Sequence, residues 1–194
     1  MSLPPGISEV LFSEAQLQRR VAELAAAISA DYAGLTPLLV GVLRGVVPFM
    51  ADLLRRLTVP AMVDFMAISS YRAGSPGGQV RLLKDLEISV EGRHVLFVED
   101  MVDTGLSLHY LLRLLRERRP ASLYVCTLFD KPRLRLVNLP LRYVGFQLPD
   151  RYVVGYGLDF RQRYRNLPYV GVLSADLLLA DGPPLPSAAQ GGPP

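Results

Sequence analysis

The segment VLFVEDMVDTGLS, residues 95–107, concentrates more reactive chemistry than any other stretch of the chain. An apolar run ends in Glu99, Asp100 and Asp103, three carboxylates within five residues, and continues into Thr104-Gly105-Leu106-Ser107. If the run is a strand and the segment after it a helix, the turn sets unpaired backbone N–H groups at a helix N-terminus. With two hydroxyls beside them, that arrangement suits a phosphate monoester. Carboxylates repel phosphate, so they must face another part of the same ligand: sugar hydroxyls, a hydrated magnesium ion, or a transition state gaining positive charge. A phosphorylated sugar satisfies both halves. Taken alone, an acidic pair at a strand end and an aspartate before a helix are more often a polar terminus and an N-cap. Together with the apolar strand and the Thr-Gly turn, they favour a binding site.

Ligands of open α/β sheets collect at the carboxyl ends of the strands, so the surrounding elements decide whether this site can form. Ser13 and Gln16 make a capping box, and Leu17, Val21, Leu24 and Ile28 recur at helical spacing, which predicts a helix over 13–30. Residues 37–43 read as a buried strand, followed by an Arg44-Gly45 turn and a helical pattern over 46–57 with Pro48 in its first turn. A strand at 59–68 leads to a loop at 70–78, SYRAGSPGG. Next come a strand at 94–98, a helix carrying Leu108, Leu111, Leu112 and Leu115, and a strand at 122–129. Shorter strands are expected at 143–146, 152–155 and 169–173. Buried strands alternating with helices predict the α/β class, an open, mainly parallel sheet flanked by helices.

The composition narrows the function classes. A chain of 194 residues predicts one domain over 1–181, with a disordered Pro/Gly-rich tail at 182–194. Half the residues are hydrophobic and 20% charged, which excludes wholesale disorder. One cysteine, Cys126, excludes an internal disulfide or a cysteine zinc cluster. Arg44, Pro48 and Asp52 interrupt the most apolar stretch, 35–54, so no membrane helix is expected. The opening MSLPPGISEV lacks the basic and apolar regions of a leader, which points to the cytoplasm. The net charge is +3, and all of the 21 basic residues except Lys84 and Lys131 are arginine. Eight of them lie between Lys131 and Arg165, against only Asp150 and Asp159. Such a block serves nucleic acid, a highly phosphorylated small molecule, or simply a solvated face. His94, His109 and Cys126 read as structural.

Glu99-Asp100-Met101-Val102-Asp103-Thr104-Gly105 resembles the signature by which the type I phosphoribosyltransferases bind phosphoribosyl pyrophosphate: apolar strand, two acids, short spacer, Thr-Gly turn. Within that family the chain is similar to the members that use the 6-oxopurines hypoxanthine and guanine, on segments from about Leu38 to Leu173. The resemblance implies that family's fold, with a small hood built from segments near the two termini. It also implies a Mg2+-dependent transfer of a 6-oxopurine to phosphoribosyl pyrophosphate, giving IMP or GMP and pyrophosphate through an oxocarbenium-like transition state.

Position by position, the resemblance implies that Thr104, Gly105, Leu106 and Ser107 hold the 5-phosphate. Glu99 and Asp100 would face the ribose hydroxyls and the metal, and Asp103 would exchange a proton with the purine N7. Arg44 and Gly45 correspond to a loop that grips pyrophosphate with its main chain, where the family often has lysine for Arg44. Ser70 and Tyr71 match a loop that closes over the reacting centre. Lys131 would donate to the purine 6-oxo group, Tyr152 would stack on the ring, and Val153 would contact its edge. Asp159 would meet magnesium and Arg165 pyrophosphate, their spacing suggesting a short helical turn. A homodimer or homotetramer is implied as well; with no membrane helix and no recognisable helix-turn-helix or RNA-binding extension in the sequence, neither a membrane nor a nucleic-acid partner is expected. The alternatives are a family transferase for another base and a phosphoribosyl-pyrophosphate-sensing regulator that binds nucleic acid. Retention of Asp103, Lys131, Asp159 and Arg165 counts against the regulator.

Overall fold

The computed structural model describes residues 3–69 and 81–180. The loop expected at 70–78, with Ser70 and Tyr71, and the tail expected from 182 lie outside the described residues.

The expected capping box forms. Ser13 accepts from the Gln16 N–H, while the Gln16 side chain accepts from the Ser13 N–H, opening helix α1 (Glu14–Asp31). Strand β1 (Ile7–Phe12) precedes it, and β2 (Leu38–Val42) leads into α2 (Val47–Leu54). The helical pattern expected to run to 57 stops at Leu54, where the chain begins to tighten: Arg56 N–H bonds to Leu53 C=O, and Leu57 N–H is shared between the Leu53 and Leu54 carbonyls. Strands β3 (Met62–Ser69), β4 (Arg81–Lys84) and β5 (His94–Val102) come next, followed by α3 (Leu106–Glu117) and β6 (Ser122–Asp130). Beyond a short 3₁₀ turn (Pro132–Leu134) lie β7 (Leu141–Gln147), β8 (Val153–Val154), β9 (Val170–Leu173) and α4 (Ala175–Ala180).

Six strands form the main sheet in the order β4-β3-β2-β5-β6-β7, parallel except for the β3–β4 edge pair. The central strands carry runs of apolar residues because both faces are covered, and successive side chains divide between the faces. Leu39, Leu96, Val98 and Cys126 join Leu17, Val21, Phe49 and Leu53 of α1 and α2 in one core. Leu38, Val40, Val95, Phe97 and Val125 join Leu108, Leu111, Leu112 and Leu115 of α3 in the other. The hood is a separate antiparallel sheet, β1-β9-β8, around Ile7, Val154, Phe160 and Leu173. Thus the strands expected at 152–155 and 169–173 belong to the hood, whereas that at 143–146 is an edge strand of the main sheet.

Candidate active site

Strand β5 runs further than its apolar residues: Glu99 and Asp100 are still paired within the sheet, and Val102 lies opposite Asp130 of β6. This holds two partly buried carboxylates at the rim of the core. Burial, reinforced by the Asp100 charge, pushes Glu99 well above the ordinary glutamate range. Burial also raises Asp100, to about 6, although the Met101 N–H and the Arg165 charge oppose the rise; Asp159 adds repulsion. The Met101 N–H donates to Asp100 Oδ1 at 2.8 Å. The other carboxylate oxygen presses on Gly45, where an added Cβ would lie 1.8 Å from Asp100 Oδ2. A larger residue there would have to push the Asp100 carboxylate aside.

Asp103 follows, exposed, and the chain turns through Thr104 and Gly105 into α3. Gly105 caps the helix with φ 80°, Thr104 Oγ1 accepts from the Leu106 N–H at 3.5 Å, and Leu106 and Ser107 form the first turn. The expected turn into a helix N-terminus is therefore present.

One cavity of about 360 Å³ brings together seven of the expected residues: Asp100, Asp103, Lys131, Tyr152, Val153, Asp159 and Arg165. Met101 and Leu158 complete its wall and were not anticipated. The Lys131 side chain enters from the end of β6 and is only 8% exposed, unlike an ordinary surface lysine. Its Nζ donates to the Arg151 carbonyl at 2.9 Å. Tyr152 is held by edge-on packing against Phe160 (5.6 Å between centroids) and by a hydrogen bond from its hydroxyl to the Asp159 carbonyl at 3.2 Å.

Asp159 and Arg165 do meet, with an ion pair of 2.7 Å, but not through the short helical turn expected from their spacing. Two tight reversals, bridging Gly155 to Leu158 and Phe160 to Arg163, bring them together, with Arg161, Gln162 and Tyr164 at positive φ. The Arg165 guanidinium also donates to the Gly157 carbonyl at 2.7 Å and to Gln162 Oε1 at 3.0 Å, while its buried Nε has no partner.

Glu99, the Thr104–Ser107 turn, Arg44 and Gly45 lie outside the cavity wall. The Leu43–Arg44 peptide bond is cis, and the exposed Arg44 side chain reaches Gln162 Oε1 at 3.3 Å. Gln162 thus links Arg44 to Arg165, a role no sequence signal indicates. Gly157 touches the same loop from the hood: at φ +98°, a Cβ on it would fall 2.0 Å from the Gly45 carbonyl oxygen.

Among the described residues no group of three or more histidine, cysteine or acidic side chains could cage a metal. Magnesium needs no such cage, since it is commonly held by one or two carboxylates with substrate phosphates and water. Asp100 and Glu99, both raised by burial, have the donor chemistry for an ion that arrives with a diphosphate.

Residues 10–161 match the model of the phosphoribosyl transferase domain family. The hypoxanthine-guanine phosphoribosyltransferase of Streptococcus agalactiae is 48% identical over 172 residues, which is 88% of this chain and 96% of that one. Its counterpart from Bacillus subtilis is 48% identical over 86% of this chain and 93% of its own length. Among solved structures, a hypoxanthine phosphoribosyltransferase from Staphylococcus aureus superposes with a TM-score of 0.85 at 42% identity, covering 89% of this chain and 94% of that one. The Trypanosoma cruzi hypoxanthine phosphoribosyltransferase, solved in complex with the product IMP, gives 0.85 at 39% identity, covering 91% and 100%. With the carboxylate strand, the Thr-Gly turn and the hood all in place, the chain belongs to the phosphoribosyltransferase family, and within it to the hypoxanthine-guanine phosphoribosyltransferases.

Proposed function

We infer that the chain salvages purines, joining hypoxanthine or guanine to phosphoribosyl pyrophosphate to form IMP or GMP and release pyrophosphate. The observation that supports this most is the single cavity in which a buried lysine and a fixed tyrosine face two aspartates at the end of β5. A lysine only donates, so Lys131 matches a 6-oxo acceptor and leaves the 6-amino group of adenine unmatched. Tyr152 offers its ring to the purine face, and the Val153 main chain meets the purine edge. Asp103, on the exposed lip, takes the proton that the purine gives up as its nitrogen bonds to C1 of the ribose.

The Thr104–Ser107 turn holds the 5-phosphate with backbone donors at the start of α3. Glu99 and Asp100 face the ribose, where negative charge favours the cationic character that develops at C1. Arg165 and the main chain at Arg44-Gly45 receive the departing pyrophosphate. Asp159, together with Asp100 and Glu99, would hold Mg2+, which when bound neutralises the leaving group's charge. Ser70 and Tyr71 would close over the centre and exclude water. No described helix is long and apolar enough to cross a membrane. A cytoplasmic homodimer or homotetramer, built on one domain over 1–181 and without a nucleic-acid partner, completes the proposal.

The test is product formation from hypoxanthine and phosphoribosyl pyrophosphate with magnesium, comparing wild type with Asp103→Asn. The wild type forms IMP, while the variant binds phosphoribosyl pyrophosphate normally and turns over at least about 10²-fold more slowly. Equal turnover in the two proteins removes the proton-transfer role.

A further inference from the structure

Outside the cavity, a buried polar contact joins the core to the hood loop. Asp52 lies on α2 and is 8% exposed. Its Oδ2 accepts from the Tyr156 hydroxyl at 2.6 Å and from Gln18 Nε2 of α1 at 2.6 Å, and Arg55 pairs with Oδ1. Burial alone would raise this carboxyl, but the hydrogen bonds from Tyr156, Gln18 and Arg55 outweigh it and hold the group below the ordinary aspartate range. Asp52 is therefore a fixed anion at neutral pH.

Tyr156 opens the loop that carries Gly157, Leu158 and Asp159. Its backbone is left-handed, φ 48°, a region an aromatic residue occupies only when its surroundings over-determine it. Two contacts impose that conformation: the hydroxyl on Asp52, and the Tyr156 N–H donating to the Leu167 carbonyl at 2.8 Å. The next residue, Gly157, donates its N–H to the Arg165 carbonyl at 3.0 Å and accepts from the Arg165 guanidinium at 2.7 Å. Gly157 also abuts the Gly45 carbonyl, and Gly45 in turn abuts the Asp100 carboxylate. Displacing Tyr156 would therefore move the Arg165 anchor and the Gly45 loop together. The purine side has an anchor of its own, Lys131 on the Arg151 carbonyl, and meets this loop only where the Tyr152 hydroxyl donates to the Asp159 carbonyl.

We propose that Tyr156 and Asp52 are a positioning pair: their hydrogen bond, rooted in a core helix, sets the loop that presents Arg165, Asp159 and the Gly45 main chain to the diphosphate end of the substrate. The pair rests on the assignment of those groups to the diphosphate. Its signature is asymmetric, because Gly157 touches Arg165 and Gly45 directly, whereas the loop reaches the purine side only through the Tyr152 hydroxyl on the Asp159 carbonyl.

Tyr156→Phe removes only the hydroxyl and keeps the buried ring. Steady-state kinetics with hypoxanthine and phosphoribosyl pyrophosphate, each varied at saturating magnesium, are expected to show KM for phosphoribosyl pyrophosphate raised about tenfold, with KM for hypoxanthine changed less than about twofold. Asp52→Asn keeps an acceptor for the Tyr156 hydroxyl and stays within about threefold of wild type, whereas Asp52→Leu does not. That contrast carries the test if Tyr156→Phe does not fold. A lowered melting temperature with both KM values unchanged, or both raised alike, overturns the pair as more than structural. If wild type forms no nucleotide from any purine, the underlying functional assignment fails instead.

Discussion

Asp100 is ionisable at a place where burial favours the proton, a cost that the Met101 N–H and the Arg165 charge offset only in part. With its carboxyl raised to about 6, the folded chain holds that proton more tightly than the unfolded chain, whose ordinary value is 3.8. Stability from this group is therefore complete below about pH 4, declines as pH rises to about 6, and stays reduced above that. Asp100→Asn removes the titration. Without ligands, the variant should melt roughly 2–4 °C above wild type at pH 8, a gain of about 1 kcal/mol, and the difference should shrink towards pH 4. A thermal scan at the two pH values checks this; a variant less stable than wild type at pH 8 contradicts it. The same substitution should abolish turnover, so the residue would trade stability for function.

At the scale of elements, α3 links core to candidate site, because the helix whose first turn is proposed to hold the 5-phosphate is pinned to the sheet by Leu108, Leu111, Leu112 and Leu115. Leu111 is fully buried, and Leu111→Ala should lower the free energy of unfolding by about 2–5 kcal/mol in urea, whereas Leu83→Ala at an exposed edge should change it by less than about 0.5 kcal/mol. Equal effects would contradict the placement of the core. These leucines were legible in the sequence because helical spacing shows through any apolar face, and β2, β5 and β6 were legible because strands covered on both sides are continuously apolar. Strand β1 was not: exposed Ser8, Glu9 and Val10 follow buried Ile7, so no alternation marks it. The loop from Tyr156 to Arg165 was misread as a helical turn because its shape comes from left-handed residues and two short bridges, which leave no periodic trace. Asp103, Lys131 and Arg165, picked out in the sequence by the family resemblance, do line one cavity. Gln162 and the Asp52–Tyr156 contact escaped because they depend on partners more than 100 positions away.

Across the whole molecule, the site is a seam between two structures. The main sheet supplies Asp100, Asp103 and Lys131, while the hood segment supplies Tyr152, Val153, Asp159 and Arg165. The basic block at 131–165 does not act as one patch. Arg135 pairs with Asp130, Arg142 with Asp31, Arg151 with Glu9, and Arg165 with Asp159, so folding distributes charge that looked concentrated in sequence. The proposed role of the cavity therefore rests on selectivity more than on attraction. The most direct test is kcat/KM for hypoxanthine against adenine, measured with purified wild type, phosphoribosyl pyrophosphate and magnesium. A preference for hypoxanthine of about 10⁴-fold or more is predicted, because adenine leaves the buried lysine without its acceptor. Comparable turnover of adenine, or none of either base, would contradict the account.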